Sequence, residues 1–486
     1  MKNKKFTPTF KTNLMDHQER AVRKLDKLKV GALFMEMGTG KTRTALEIGL
    51  NKIKQGKTEQ IIWLCPVSVK LTIAREIEKH LGATDYELVD SRPIQNKEAL
   101  IYICGIESVS QSAQTMFQIY SIAQSKKTFL VVDESSLIKN YRAKRTRNIW
   151  RLGEVSKYRF ILNGTPVTNT EQDLYCQWYL LDKRILGYNS YYSFAANHLE
   201  MDPHIPDRVI RAHNVELLTR KISPYTYQVK KNECLDLPPK TYSERYLEMN
   251  NYQLSQHEYI KDKFLDELRP DQFNSDTILR LFSALQKIVS GHHLFREPLD
   301  NPRVKVLIET IREMPDEEKV IIWCKYVKEI EDLKEVLADI YGEENVTELW
   351  GGLSSRERNK ELERFEQSPR FLVANKSVGA FGLNLQFCKY AIYYSNDFNW
   401  ATRSQSEDRI HRVGQTDNVH IIDIITEHSI DERIQESIWK KENLVDSFKN
   451  QIDHYKDMDY LKTWLSGGGG RIDKDRVVGA GKTKAG

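Results

Sequence analysis

The chain of 486 residues is poor in the features that mark secreted or membrane proteins. Six cysteines, at 65, 104, 176, 234, 324 and 388, stand far apart with no C-x-x-C pair. That spacing argues against a zinc site and against a disulfide framework, and it suits a reducing cytosol. No apolar run approaches the ~18 residues of a membrane span. The opening MKNKKFTPTFKTN has no apolar stretch of signal-peptide length. A soluble, cytoplasmic protein with no membrane partner is therefore expected. Charge of one sign is lacking too. The chain carries 73 Lys and Arg against 68 Asp and Glu, a formal net charge of +5, which by itself does not identify a nucleic-acid binder. No tandem repeat, helix-turn-helix, zinc module or homeodomain pattern is present, so recognition of a particular base sequence is not expected.

What the chain does have is hydrophobic patterning, with 40% hydrophobic residues and length enough for two or three domains. Runs rich in Val, Ile and aromatics occur at 30–35, 61–65, 100–104, 128–133 and 158–163, and again at 319–324, 370–375, 389–395 and 420–425. Helix-length polar segments separate them, the signature of βαβ units around a buried parallel sheet. The fold class expected is α/β, with two RecA-like parallel-sheet lobes and a helical segment between. The expected boundaries are a first lobe over 1–180, a helical middle and crossing over 181–300, a second lobe over 301–446, a helical extension over 447–466 and a flexible basic tail over 467–486. Pro238-Pro239 interrupts helix and suggests the crossing. The GAGKT at 479–483 imitates a phosphate loop, but only three residues follow it, too few for a helix, so it is read as coincidence.

The run at 30–35 leads into Glu36-Met37-Gly38-Thr39-Gly40-Lys41-Thr42 and then a helical pattern. A glycine-rich turn between strand and helix lets backbone N–H groups of Gly38, Thr39 and Gly40 wrap phosphate oxygens. Lys41 would reach the β- and γ-phosphates, and the Thr42 hydroxyl would hold Mg²⁺. The strict pattern asks for glycine where Met35 stands. About ninety residues on, FLVVDE ends a strand pattern in Asp133-Glu134. A lone acidic pair there is usually a solvated edge. Paired with a phosphate loop, it reads as Asp133 holding Mg²⁺ through water and Glu134 polarising the attacking water. ATP and Mg²⁺ are thus the expected cofactors. In QSEDRIHRVGQ (405–415), the spacing of three between Arg409 and Arg412 predicts two guanidinium groups on one helix face, suited to a transferring γ-phosphate.

Several stretches, taken in order, resemble the Swi/Snf-type DNA translocases of helicase superfamily two. They are LMDHQERAV (14–22), DESSLIKN (133–140), ILNGTPVTNT (161–170), LDLPPK (235–240), VGAFGLNLQ (378–386) and the 405–415 run. The resemblance covers about 12–446. It implies that Gln18 reads the adenine edge, that Arg409 and Arg412 act as arginine fingers on ATP held between the lobes, and that the partner is double-stranded DNA tracked 3′→5′. Ser68, Lys70, Lys144, Lys325, Gly382 and Asn384 are the candidate nucleic-acid contacts. Lys144 belongs to a basic run (139, 142, 144, 145, 147) that reads equally well as a solvated helix face. Ser135-Ser136 stand where the family has Gly-His.

The function expected is an ATP-dependent motor translocating along double-stranded DNA, a DNA-dependent ATPase associated with DNA in the cytoplasm. One alternative is a helicase that unwinds strands or remodels branched DNA. Another is a non-catalytic, nucleotide-switched nucleic-acid clamp. No β-hairpin pattern suited to a strand-splitting wedge stands out between motif V (378–386) and motif VI (405–415), and 181–300 is the stretch where one would escape notice.

Overall fold

In a computed structural model the chain forms two compact units, divided between Asp236 and Leu237. The residues described are 8–82, 85–164, 171–201, 209–267, 274–295, 297–376, 383–455 and 458–467. Gly382, residues 165–170 and the tail from 468, with its GAGKT, lie outside them.

The first unit contains strands β1 (Val30–Met35), β2 (Gln60–Cys65), β3 (Tyr86–Val89), β4 (Ile101–Gly105), β5 (Thr128–Val132) and β6 (Tyr158–Asn163). A short antiparallel hairpin, β7 (Leu199–Met201) and β8 (Val209–Ala212), follows, and then β9 (Thr226–Val229). Seven of these strands make one parallel sheet in the order β3-β4-β2-β5-β6-β1-β9. Side chains alternate across a strand, and β1 shows the consequence. Val30, Ala32 and Phe34 enter one core, Leu33 and Met35 the core on the opposite face. Covering both faces is what lets such continuous apolar strands fold.

The second unit repeats the plan. Its strands are β10 (Lys240–Leu247), β11 (Val320–Cys324), β12 (Val346–Leu349), β13 (Phe371–Asn375), β14 (Tyr390–Tyr393) and β15 (Val419–Thr426). They form a parallel sheet in the order β10-β15-β14-β11-β13-β12. Each of the nine apolar runs read from the sequence is a strand, so the expected pair of parallel-sheet lobes is present.

The stretch 181–300 differs from its expected helical character. It supplies β9 to the first sheet, β10 to the second and the whole β7–β8 hairpin. Its helices Asn251–Glu267 and Ser275–Ser290 pack with Ile430–Lys440, Leu444–Tyr455 and Met458–Leu465 around Leu281, Phe282, Phe448 and Trp464, within the second unit. The expected extension over 447–466 is therefore part of a core.

A buried ionic network fixes the helix Trp400–Ile410 to the second sheet. The Arg403 guanidinium is 3% exposed, lies 3.3 Å from the Tyr393 ring centroid, and donates to both carboxylate oxygens of Asp423 on β15 at 2.5 and 2.9 Å. It also donates to Glu407 at 2.8 Å, and Glu407 accepts from Lys240 at 2.7 Å and from Tyr242 at 2.9 Å, both on β10. Burial works against the Glu407 charge, yet Arg403 and Lys240 hold its pKa down at about 2. Removing one partner of such a network leaves the others charged and dry. Arg403→Met should lower the unfolding free energy by about 3–5 kcal/mol in urea denaturation at neutral pH. A loss below ~1 kcal/mol would show that the network is not what holds this helix.

Candidate nucleotide site and nucleic-acid interface

In the first unit, the chemistry gathers at the carboxyl ends of β1 and β5, which flank β6. After β1 the chain turns through Gly38 at φ 80° and Gly40 at φ 83°, and Gly40 caps the helix Lys41–Lys54. Both φ values lie in the left-handed region that glycine adopts without strain, and a Cβ on Gly40 would run into the Gln18 side-chain amide. The loop braces itself, with Thr39 Oγ1 donating to Glu36 O at 2.7 Å. Lys41 Nζ donates to Met35 O at 2.8 Å, and Thr42 sits half-buried in the first helical turn. Gln18 lies against this loop, Nε2 donating to Thr39 O at 3.2 Å while Oε1 accepts from Met15 N at 3.0 Å. His17, which the sequence reading passed over, donates from Nε2 to the same carbonyl at 2.7 Å. Arg43 was also missed. It donates to Thr12 O at 3.0 Å and to Glu47 at 2.7 Å and stacks 3.5 Å from the Phe10 ring centroid, tying the N-terminal segment to the loop's helix.

Asp133 and Glu134 follow β5. Asp133 is 8% exposed, and burial, reinforced by the Glu134 charge, pushes its pKa up to about 7, while Lys41 pulls the other way. Glu134 stands at φ 50°, uncommon for a residue with a Cβ, and its backbone N–H donates to Asp133 Oδ1 at 3.0 Å. A desolvated carboxylate under a lysine ammonium fits a divalent cation, which would restore the carboxylate charge. Among the described residues no group of three or more His, Cys, Asp and Glu side chains is placed to hold a metal. Beyond the acidic pair, Ser135 Oγ donates to Gln177 Oε1 at 2.6 Å, and Lys139 pairs with Asp173 at 3.6 Å. The segment after the acidic pair is thus anchored to the helix Gln172–Leu186.

In the second unit the two arginines do not share a helix face. The helix ends at Ile410, and His411 leaves helical geometry at φ −92°, ψ 82°, with its Nε2 donating to Pro238 O at 2.7 Å. Arg409 lies in the last turn and is 8% exposed, whereas Arg412 lies beyond the helix, half-buried. The i, i+3 rule fails because the helix stops between them. Arg412 donates to Asn384 Oδ1 and to Leu383 O, bringing motifs V and VI together.

The remaining nucleic-acid candidates scatter. Ser68 is half-buried, Asn384 and Lys144 are exposed, and Lys70 donates to Val89 O at 2.7 Å at the end of β3. Lys325 is turned inward. Its Nζ donates to Gln286 Oε1 at 2.8 Å and lies 2.9 Å from the Phe398 ring centroid, and burial lowers its pKa to about 7. So engaged, the Lys325 ammonium contributes to packing within the second unit.

Two family models match the chain: the SNF2-related domain over residues 17–294 and the helicase conserved C-terminal domain over 302–414. The chain belongs to the SNF2-related family. The two models follow one another along the chain, the SNF2-related match first and the helicase C-terminal match second. Curated relatives include an uncharacterized ATP-dependent helicase of Mycoplasma pneumoniae, 24% identical over 89% of this chain, and the putative ATP-dependent helicase/translocase YwqA of Bacillus subtilis, 27% identical over 91%. The chain spans 42% and 49% of their respective lengths. A solved Sulfolobus solfataricus SWI2/SNF2 ATPase core in complex with dsDNA aligns with 95% of this chain and 98% of its own, at 22% identity and a TM-score of 0.42. Among the described residues no helix is long and apolar enough to cross a membrane.

The raised pKa of Asp133 has a signed consequence. Its charge is disfavoured in the folded chain relative to an unfolded Asp near ~3.9, so the penalty is absent below that pH, grows as pH rises, and is complete above about 7. Asp133→Asn should therefore melt higher than the unsubstituted chain at pH 8 without nucleotide, and the difference should vanish towards pH 4. An Asn variant less stable at pH 8 would refute this account of the buried carboxylate.

Proposed function

We propose that the chain is an ATP-hydrolysing motor that moves along double-stranded DNA without separating its strands. The observation that carries the reading is the desolvated Asp133 beside Lys41, with Glu134 next in line, at one edge of a phosphate-loop sheet. In this reading the backbone of Gly38, Thr39 and Gly40 cradles the phosphates, and Lys41 leaves the Met35 carbonyl to neutralise them. Thr42 and Asp133 would hold Mg²⁺, which when bound shields phosphate charge. Glu134 orients the attacking water. Gln18, already seated on the loop, reads the base edge. Arg409 and Arg412 from the second unit stabilise the charge of the transferring phosphoryl group, so turnover requires both units, and closing and opening moves them along DNA. Ser68, Lys70, Lys144, Gly382 and Asn384 are the proposed backbone contacts, which position DNA without reading its sequence.

A specific feature favours the second reading. The first unit holds an antiparallel strand pair, β7–β8, with Ile210 54% exposed, and an exposed hairpin is the class of element a strand-splitting wedge needs. Against it, the described part of the path from motif V to motif VI holds only β14 and the helix Trp400–Ile410. Without a wedge in that path, moving the lobes need not supply the ~1.4 kcal/mol per base-pair step that unstacking costs.

The test combines three assays of the whole chain. Duplex DNA should stimulate ATP hydrolysis, a triplex-forming third strand should be displaced, and a forked duplex should stay largely paired. Glu134→Gln should retain ATP binding and lose all turnover. Efficient ATP-dependent opening of the fork would establish the helicase reading. Nucleotide binding with no turnover under any DNA condition would establish the clamp.

A further inference from the structure

The segment that leaves the acidic pair arrives at a surface whose aromatic residues neither the nucleotide site nor the duplex contact proposed for Lys144 explains. Between Glu134 and Glu154 the sequence has six basic residues, Lys139, Arg142, Lys144, Arg145, Arg147 and Arg151, and no acidic one. In a chain whose net charge is only +5, this is a local concentration of positive charge. Aromatic rings sit within it. Tyr141 stacks on Tyr191 with centroids 4.1 Å apart and planes 15° from parallel. Tyr192 stands edge-on to Tyr141 at 6.0 Å and 77°, their hydroxyls 3.4 Å apart. The Arg142 guanidinium lies 5.2 Å from the Tyr141 centroid.

Packing accounts for only part of this cluster. Tyr191 is 7% exposed and belongs to the core, and its hydroxyl accepts from Gln172 Nε2 at 2.6 Å. Tyr192 is 67% exposed, so the fold gains little by its ring. An exposed tyrosine set edge-on to a second ring that itself carries an arginine has the composition of a base-stacking platform. Aromatic faces accept any base, arginine adds cation–π attraction, and nearby basic side chains follow the phosphates. Bases inside a duplex are stacked on each other and offer no face. The partner that fits is an unpaired stretch.

We propose that Tyr192, with Tyr141 and Arg142, binds the bases of a single-stranded segment adjoining the duplex on which the motor acts. The proposal rests on the DNA-motor reading for its duplex and adds a second, unpaired element to the substrate. Tyr192 lies in the first turn of the helix Tyr191–His198, which runs directly into β7, so the platform stands at the root of the β7–β8 hairpin. Tyr141 follows the Ser135–Ile138 turn and Lys139, which Gln177 and Asp173 hold in place. A strand seated here would therefore press on the segment that carries Asp133 and Glu134.

The test measures binding of the whole chain to three DNAs: a blunt duplex, the same duplex with a single-stranded tail of about ten nucleotides, and that duplex with an abasic tail. The abasic tail keeps the phosphates and removes the bases. The tailed duplex should bind more tightly than either control, by roughly 5- to 100-fold, the range of one or two stacked bases. Tyr192→Ala should erase that preference while leaving blunt-duplex binding unchanged, and Tyr192→Phe should keep it. Both substitutions fall on an exposed ring and spare the core. Equal binding of tailed and abasic-tailed DNA, or an undiminished tail preference in Tyr192→Ala, would overturn the platform. Failure to bind the blunt duplex at all would instead count against the DNA-motor reading, and the tail comparison would still read the platform on its own.

Discussion

A parallel sheet buried on both faces has no solvent-facing surface of its own, so any group that must meet a ligand stands where a strand ends. Both units obey this constraint. β1 passes from six buried residues straight into the phosphate loop, and β5 from five buried residues into Asp133. Desolvation comes with that position. It disfavours the Asp133 charge and raises its pKa, and it is why the Lys41 charge, which pulls the other way, matters to it even before a nucleotide is present. In the second unit the ends of β11, β13 and β14 lead into Lys325, Lys376 and Ser395, and there the polar groups turn inward. The same edge of the same fold thus holds a site in one unit and a buried network in the other.

That network sets where the arginines of motif VI can be. Arg403 and Glu407 spend their charges on Asp423, Lys240 and Tyr242, clamping the helix Trp400–Ile410 between β15 and β10. The chain then leaves the helix at His411, tethered to Pro238, and Arg412 emerges beside Asn384. A guanidinium past a helix end is positioned by its tether and its partner. The helix in front of it supplies a rigid starting point.

The sequence was most legible where burial is symmetric. The nine central strands are predominantly apolar, and the glycine turn and acidic pair stand at the ends of two of them. Four of the six strands that escaped notice are the outermost of the two sheets: β3 and β9 in the first, β10 and β12 in the second. An outer strand has a neighbour on one side only and tolerates polar residues. KTYSERYL of β10 buries just its last residue, and TYQV of β9 likewise. The other two form the β7–β8 hairpin, each three or four residues long, too short to show a period. At the site, residue types were readable but rotation was not. Lys325 is basic at a strand end, yet Phe398 and Gln286, distant in sequence, draw it inside. The spacing of Arg409 and Arg412 implied a shared face only if the helix continued. His17 and Arg43 act on the phosphate loop through contacts with Thr39 O and Thr12 that no local pattern announces.

The central claim is that Asp133 is kept partly protonated by burial and becomes a carboxylate when a magnesium–nucleotide complex arrives. Titration calorimetry with the magnesium complex of a non-hydrolysable ATP analogue, at pH 7 in buffers of different ionisation enthalpy, measures the protons exchanged on binding. The account predicts net proton release on binding at pH 7 that falls away by pH 8.5, because burial raises the Asp133 pKa towards neutrality. A binding heat independent of buffer at pH 7 would contradict it.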